Sequence, residues 1–349
     1  MFAKQMRIAG LKAGFSRGRL AIARIAQTAS GMRNGKPQAR RGVFANPKPC
    51  LAAKEEDMHI DFDKMNGAGN DFVMIGDFFD QIHLTPEQVA WICDRHFGVG
   101  ADGVIVVKPS PHAEAAGYMD YYNSDGTKAE MCGNGIRCFS KFLVDGGVIE
   151  PGQDSFIADT LSGTKEISIM RDVEGKMSLA TVNMGAPILE PAQVPTTLPA
   201  TKTPWGAVAK EAPIEVNGIT YKATCVSMGN PHAVIFVDDP LTFPVTEIGP
   251  IIETMDVFPE KTNVEFAHVD GDVITMRVWE RGCGETLACG TGCCATAVAA
   301  HITGRAGDKV TLKVLGGEIG IEWVGCDAGL GTVMMTGPAK KAFSGSLEI

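Results

Sequence analysis

Cys132-Gly133-Asn134-Gly135 and Cys289-Gly290-Thr291-Gly292 each place a thiol and two glycines at the head of a run with helical periodicity. A cysteine there faces unpaired backbone N–H groups and the positive end of the helix dipole, which favour its thiolate. One such thiol would serve as a nucleophile or as part of an anion pocket. Two, set out as a repeat, predict opposed acid/base groups that take a proton from one face of a carbon and return one to the other. A single base tends to hand the proton back to the face it came from, so inversion needs the pair. That is racemase or epimerase chemistry without a cofactor. Removing the α-proton of an amino acid builds negative charge beside its carboxylate. With no pyridoxal phosphate as electron sink, the protein must stabilise that charge itself. The N–H groups after Cys132 and after Cys289 can converge on one carboxylate, and Gly133, Gly135, Gly290 and Gly292 put no side chain in the way.

The repeat reaches beyond the cysteines. Asn70 in Gly69-Asn70-Asp71-Phe72-Val73 and Asn230 in Gly229-Asn230-Pro231-His232-Ala233-Val234 lie 160 positions apart, and the two cysteines 157 apart. Asp125-Gly126-Thr127 approaches the first cysteine and Gly284-Glu285-Thr286 the second. Near-constant spacing predicts duplicated domains related by a pseudo-twofold, with the cysteines across a shared cleft.

The elements that must position these residues are mainly short strands. His59–Met65 and Asp71–Ile75 read as strands joined by the turn Asn66-Gly67-Ala68-Gly69. Thr85-Pro86-Glu87 starts a helix, with Thr85 as N-cap, predicted to run to about His96. Gly103–Val107 and Tyr118–Tyr122 follow as strands, and the helix after Cys132 stops at Gly146-Gly147. Several alternating segments fill Ser155–Met184. Pro187 to Pro213 is proline-rich and aperiodic, which suits a connection between domains. The plan then repeats: strands at Tyr221–Ser227, Ala233–Val237, Asn263–Val269 and Val273–Trp279, a helix from Cys289 to His301, and closing strands at Thr311–Val314, Glu318–Trp323 and Thr332–Thr336. The fold class expected is α+β: two pseudo-symmetric domains, each a strand-rich barrel or roll around one central helix, with the active site in the cleft between them. The expected bounds are 59–186, completed by 338–349, for the first domain and 187–337 for the second. Alternating βαβ units are missing, and Gly67-Ala68-Gly69 lacks the third glycine and following helix of a dinucleotide site.

Other polar residues suit a zwitterionic substrate. Arg281 after Glu280 would clamp a carboxylate, or else form a surface ion pair with its neighbour. Glu280 would accept from an ammonium or support a cysteine. Asn70, Asn123, Asn230 and Asn263 sit at strand edges or turns, where turn chemistry competes with ligand binding. His232 is either a satisfied core histidine or a supporting group near a cysteine. Cys93, Cys225 and Cys326 read as small buried residues.

Charge is uneven along the chain. The first acidic residue is Glu55, while twelve of the 32 basic residues precede it. All 41 acidic residues lie in the body. An Arg- and Ala-rich, acid-free leader over residues 1–54 predicts a disordered transit peptide, cut between Pro47 and Asp57, in preference to a nucleic-acid-binding arm. No run of about 18 apolar residues predicts a membrane span. Ten cysteines in 349 residues are too sparse for a disulfide scaffold, and Cys283, Cys289, Cys293 and Cys294 lack zinc-ligand spacing, so no metal is expected.

The phrases MNGAGNDFV (65–73), DRHFGVGADG (94–103), YNSDGTKAEMCGNGIRCF (122–139), VSMGNPHAVIFVDD (226–239), KTNVEF (261–266) and WERGCGETLACGTGCCA (279–295) resemble diaminopimelate epimerase. The resemblance implies interconversion of LL- and meso-2,6-diaminopimelate in lysine synthesis, with no cofactor. Carried onto this chain, Cys132 and Cys289 are implied as the two acid/base residues. Asn70, Asn123, Asn230, Asn263 and Arg281 are implied to hold the distal amino-acid end, with Glu280 and the Arg281 backbone at the distal ammonium. Gly133, Asn134, Gly290 and Thr291 are implied to cradle the reacting carboxylate, with His232 in support. Gly103 departs from the many bacterial members that carry Gln there. A targeted member fits the plastid lysine pathway, so the expected location is the chloroplast stroma, ahead of the mitochondrion. The implied partner is the small-molecule substrate, with no nucleic acid or membrane, and a homodimer stands beside the monomer as an alternative. Two rival readings remain: an enzyme resembling proline racemase or hydroxyproline epimerase, whose first motif reads MCGHG, and a non-catalytic redox-sensing protein in which the two cysteines join as a disulfide.

Overall fold

Along β1 (His59–Gly67), buried Ile60 and Phe62 alternate with exposed His59 and Asp61, the pattern of a strand with one covered face. This computed structural model describes residues 58–349, so the leader lies outside the described residues. β1 turns back into β2 (Asn70–Gly76), with Ala68 at φ 55° and Gly69 at φ 89° in the turn. Helix α1 (Pro86–Cys93) has the full capping box between Thr85 and Gln88. It ends before the expected His96 because Asp94 is extended and its carboxylate caps the N–H groups of His96 and Phe97. The first half continues with β3 (Gly103–Lys108), β4 (Ala115–Asn123), α2 (Gly133–Asp145), β5 (Ser155–Thr160), β6 (Lys165–Arg171) and β7 (Met177–Asn183).

The 187–213 stretch is less irregular than its composition suggests. It carries the hairpin β8 (Thr201–Thr203) and β9 (Gly206–Val208) and leads into β10 (Ala212–Val216). Then follow β11 (Ile219–Ser227), β12 (Pro231–Phe236), α3 (Val245–Glu253), β13 (Asn263–Asp270), β14 (Val273–Glu280), β15 (Gly284–Thr286), α4 (Gly290–Ile302), β16 (Lys309–Val314), β17 (Gly317–Val324), β18 (Thr332–Gly337) and β19 (Lys340–Glu348). Sequence reading missed α3, whose signal is masked by Pro244 before it and Pro250 inside it.

Strand pairing reveals the duplication. The first half runs β19-β1-β2-β3-β4-β5-β6-β7 and the second β10-β11-β12-β13-β14-β16-β17-β18. In both, the third and fourth strands pair parallel across a short helix (β2 with β3, β12 with β13). The fifth and sixth also pair parallel, across the cysteine-headed helix (β4 with β5, β14 with β16). The remaining pairs within each run are antiparallel. β19, from the end of the chain, therefore fills in the first half the place that β10 fills in the second. β7 and β18 pair antiparallel and join the halves into one sheet.

Each sheet curls around its own helix. α2 packs on β1, β2, β3 and β7, and α4 on β11 through β14 and β16 through β18. Ala295, Ala297, Ala299 and Ala300 on α4 are all buried, so that helix is enclosed on every side instead of presenting one apolar stripe. Its small side chains let the strands close in.

Candidate active site

Cys132 and Cys289 are the N-cap residues of α2 and α4, both in extended backbone (φ −130° and −118°). The two helix starts meet head to head. A methyl group placed on Gly290 would lie 3.3 Å from Gly133 Cα, and one on Gly133 would lie 3.5 Å from Gly290 Cα. A side chain on Gly290 would press on the backbone of Gly133, and one on Gly133 would displace the Met335 methyl, 2.9 Å away. Two positive helix ends thus face one small region, an arrangement suited to a single anion. The Asn134 side chain crosses between the segments, donating to the Ala288 carbonyl at 3.2 Å.

Each thiol has its own surroundings. Cys132 Sγ donates to Asn70 Oδ1 at 3.7 Å. Cys289 Sγ accepts the Gly292 N–H at 3.4 Å and lies 3.4 Å from Thr291 Oγ1. The sequence reading expects the helix ends to favour thiolates, but burial outweighs them and pushes both thiols up. The N–H groups of Gly135 and Asn134 oppose this at Cys132. At Cys289 the carboxylates of Glu280 and Glu265 push further in the same direction, leaving that thiol well above its ordinary range. Burial thus favours the protonated thiol at both positions, and among the described cysteines none is in a disulfide.

On the first half, Asn70 is oriented by a charged network. Its Nδ2 donates to Asp102 Oδ2 at 2.8 Å, which fixes its carbonyl oxygen toward Cys132. Asp102 also accepts from the Asp71 N–H (3.0 Å) and from Arg95 (2.8 Å). Arg95 in turn grips Asp71, which pairs with Lys64. Asn123 donates to its local partner Thr127 Oγ1 at 3.1 Å, the turn chemistry that its position at the end of β4 allowed for.

On the second half, His232 is fully buried between two partners. Its Nδ1 lies 2.6 Å from Glu265 Oε1 and its Nε2 3.1 Å from Asn230 Oδ1. The histidine thus links an expected ligand-binding amide to a buried carboxylate. Asn263 donates to the Pro231 carbonyl (2.7 Å) and accepts the Arg281 N–H (2.9 Å), so its amide holds the backbone of Arg281 in place. Glu280 accepts from the Thr286 hydroxyl, and burial raises its pKa against the bonds it receives from Thr286 and the Cys289 thiol. The Arg281 guanidinium is exposed and donates to the Glu260 carbonyl at 3.0 Å, and among the described residues it makes no ion pair with Glu280.

Three functional candidates escaped the sequence reading. Glu265 sits in β13 among buried apolar residues with its Oε2 unpartnered, and a methyl on Gly292 would come within 2.7 Å of its Oε1. An acid inside the apolar run Val264–Ala267 was the available signal. Asp102, at the mouth of β3, showed none beyond its motif. Arg137, one turn into α2, is fully buried.

The sequence model of the diaminopimelate epimerase family matches residues 62–190 and 224–342. The chain belongs to the diaminopimelate epimerase family. Its relatives include the diaminopimelate epimerase of Leptospira biflexa, 46% identical over 293 residues that cover 84% of this chain and 100% of that protein. That of Synechococcus elongatus is 46% identical over 296 residues, covering 84% and 99%. Solved structures share the fold at much lower identity. A hydroxyproline epimerase from Agrobacterium vitis superposes with TM-score 0.61 at 13% identity over 83% of this chain and 91% of that one. A PhzF-family phenazine biosynthesis protein from Bacillus anthracis gives 0.60 at 18% over 84% and 100%. This shared fold, with the strand-rich α+β architecture and its repeated strand order, bears out the fold class expected from the repeat. The chain is accordingly an isomerase of the diaminopimelate epimerase type, and the proline-epimerase likeness is one of fold. Within this family setting, Gly103 has a local reason: a methyl there would lie 2.5 Å from the Tyr122 carbonyl and 2.7 Å from the Tyr121 ring, so the backbone and Tyr121 occupy the space a larger residue would need.

Proposed function

We propose that Cys132 and Cys289 are the two acid/base groups that interconvert LL- and meso-diaminopimelate, in a two-base mechanism without pyridoxal phosphate. The observation that carries this reading is the head-to-head meeting of α2 and α4, each N-capped by one of the cysteines. The reacting carboxylate binds across both helix ends, held by the backbone N–H groups of Gly133, Asn134, Gly290 and Thr291. Fixed donors aimed where negative charge develops lower the barrier without reorganising during the reaction. The substrate α-ammonium brings the positive charge that the empty thiols lack, so binding favours a thiolate on one face of the α-carbon. That thiolate takes the α-proton while the opposite thiol delivers its own. The roles exchange in the reverse direction. Glu280, hydrogen-bonded to Cys289 and shielded from water, receives or returns the proton of that thiol. The distal end is held by Asn70, Asn123, Asn230, Asn263 and Arg281, with His232 and Glu265 orienting Asn230.

Proton NMR of LL-diaminopimelate in D2O, with reductant and no added pyridoxal phosphate, tests this. Deuterium should enter at one α-carbon as the meso isomer grows, and both Cys132→Ala and Cys289→Ala should abolish epimerisation. Turnover surviving either substitution would remove that cysteine from the mechanism. Exchange with proline but not with diaminopimelate would transfer the chemistry to another substrate. The acid-free leader supports delivery to the plastid stroma, a reading that a reporter fused to residues 1–57 and retained in the cytosol would remove.

A further inference from the structure

Arg137 is 0% exposed, yet among the described residues no carboxylate lies within ion-pair distance of it. Its hydrogen bonds go to neutral acceptors: Nη1 to the Gly133 carbonyl (3.0 Å) and Met335 Sδ (3.6 Å), Nη2 to Asn134 Oδ1 (2.9 Å), and Nε to the Pro338 carbonyl (3.2 Å). The titratable groups around it are thiols, Cys132 and Cys138 on its own segment and Cys293 and Cys294 on α4. Burial lowers its pKa, but a guanidinium stays protonated in proteins. A buried charge without a counter-charge is costly and is retained where something compensates it.

The bonds of Arg137 show where its charge is felt. The Gly133 carbonyl belongs to the peptide whose N–H is that of Asn134, one of the two N–H groups that draw the Cys132 thiol down against burial without making a capping hydrogen bond to it. A cation on the carbonyl end polarises that peptide and strengthens its N–H as a donor. Through Asn134, the same guanidinium reaches the Ala288 carbonyl, whose peptide carries the N–H of Cys289. The repeat is broken here: with the cysteines 157 positions apart, Arg137 corresponds to Cys294 on α4. One guanidinium therefore serves both helix starts.

We propose that Arg137 is a positioning residue whose buried charge completes the anion cradle, with the bound substrate carboxylate and the transient cysteine thiolate as its counter-charge. It rests on the reading that this cradle holds the reacting carboxylate. Cys132, the acid/base thiol on the same segment as this charge, also faces Glu280 from β14 and Tyr121 from β4, whose influence a substitution at Arg137 leaves in place.

The experiment measures kcat and KM for diaminopimelate against pH in the full chain, its R137K variant and its R137Q variant. R137Q should lose on the order of a hundredfold in kcat/KM, and the acid limb of its profile should move up by about one pH unit as the thiolate loses a cation. R137K, which keeps the charge and loses the fork, should hold the limb in place and recover much of the rate. An R137Q limb that stays put, or equal impairment of R137K and R137Q, would make Arg137 a structural bolt and overturn the proposal. A wild-type chain that fails to turn over diaminopimelate would instead overturn the functional reading, and this inference with it. Should R137Q not fold, nitrogen NMR of the Arg137 guanidinium in the wild-type chain decides. Its resonances should shift with a substrate analogue that carries the α-carboxylate and stay in place with the decarboxylated diamine; indifference to the carboxylate overturns the proposal.

Discussion

Gly290→Ala separates the packing of the two helix starts from their chemistry. The added methyl would meet Gly133 Cα and Met335 Sδ, both at 3.3 Å, and the Gly133 carbonyl carbon at 3.6 Å. Comfortable carbon contacts begin at about 3.5–4.0 Å, so the two helix starts must separate by about 0.3–0.5 Å. Met335 can swing aside, whereas Gly133 is backbone and carries the cradle with it. Neither glycine has a positive φ, so no backbone strain adds to the clash. Overpacking costs about 1–3 kcal/mol, while alanine in a helix regains up to about 1 kcal/mol over glycine. The net loss of stability is then on the order of 1 kcal/mol, visible in urea unfolding as a small shift of the midpoint. Activity should fall more. If a displacement of 1 Å costs on the order of a hundredfold, 0.3–0.5 Å costs about four- to tenfold in kcat/KM. The assay pairs urea unfolding with NMR epimerisation kinetics on the same preparation. Full activity with the methyl in place would refute the argument that both helix ends must converge on one carboxylate. A loss of more than about 4 kcal/mol would show that the contact mainly holds the halves together.

Three further outcomes follow from the same geometry. Burial works against the charge of Asp71, but Arg95 and Lys64 outweigh it and hold its carboxyl at about 2, below the ordinary 3.8. The stability this contributes is present above pH 3.8 and is lost as pH falls through about 2, so Asp71→Asn should cost about 2 kcal/mol at neutral pH and progressively less in acid, read by unfolding at a series of pH values. Glu265→Gln removes one of the carboxylates that push the Cys289 thiol up, so the ultraviolet absorbance of thiolate should rise at lower pH than in wild type; an unmoved curve would place the Glu265 charge elsewhere. Asp102→Leu leaves Asn70 free to turn its amide away from Cys132, and should lower kcat about tenfold with little change in thermal stability; unchanged kcat would show that the Asn70 orientation is held by other contacts.

The repeat in the sequence was enough to predict two like halves, because insertions have not blurred the 160-residue spacing of Asn70 and Asn230 or the 157-residue spacing of the cysteines. Helix starts were legible where local chemistry decides them: the Thr85 capping box and the glycines after each cysteine act over three or four residues. The existence of α3 was not, since a proline-flanked segment is settled by the strands it packs on; the end of α1 was local, but the Asp94 residue type alone does not reveal that its backbone turns extended and its carboxylate caps His96 and Phe97. The direction of the thiol shifts also lay beyond the sequence. A helix end lowers a thiol pKa and burial raises it, and only the packing of both halves around Cys132 and Cys289 decides which is larger. Glu265, Asp102 and Arg137 belong to the same class. Their residue types were visible, but a carboxylate behind His232, another behind Asn70 and an uncompensated guanidinium between two helix starts exist only once distant strands and helices are brought together. Sequence determined which groups could carry the chemistry, because thiols at helix starts are a local property. Tertiary structure decided their protonation and orientation, because desolvation and long-range hydrogen bonds depend on everything that surrounds them.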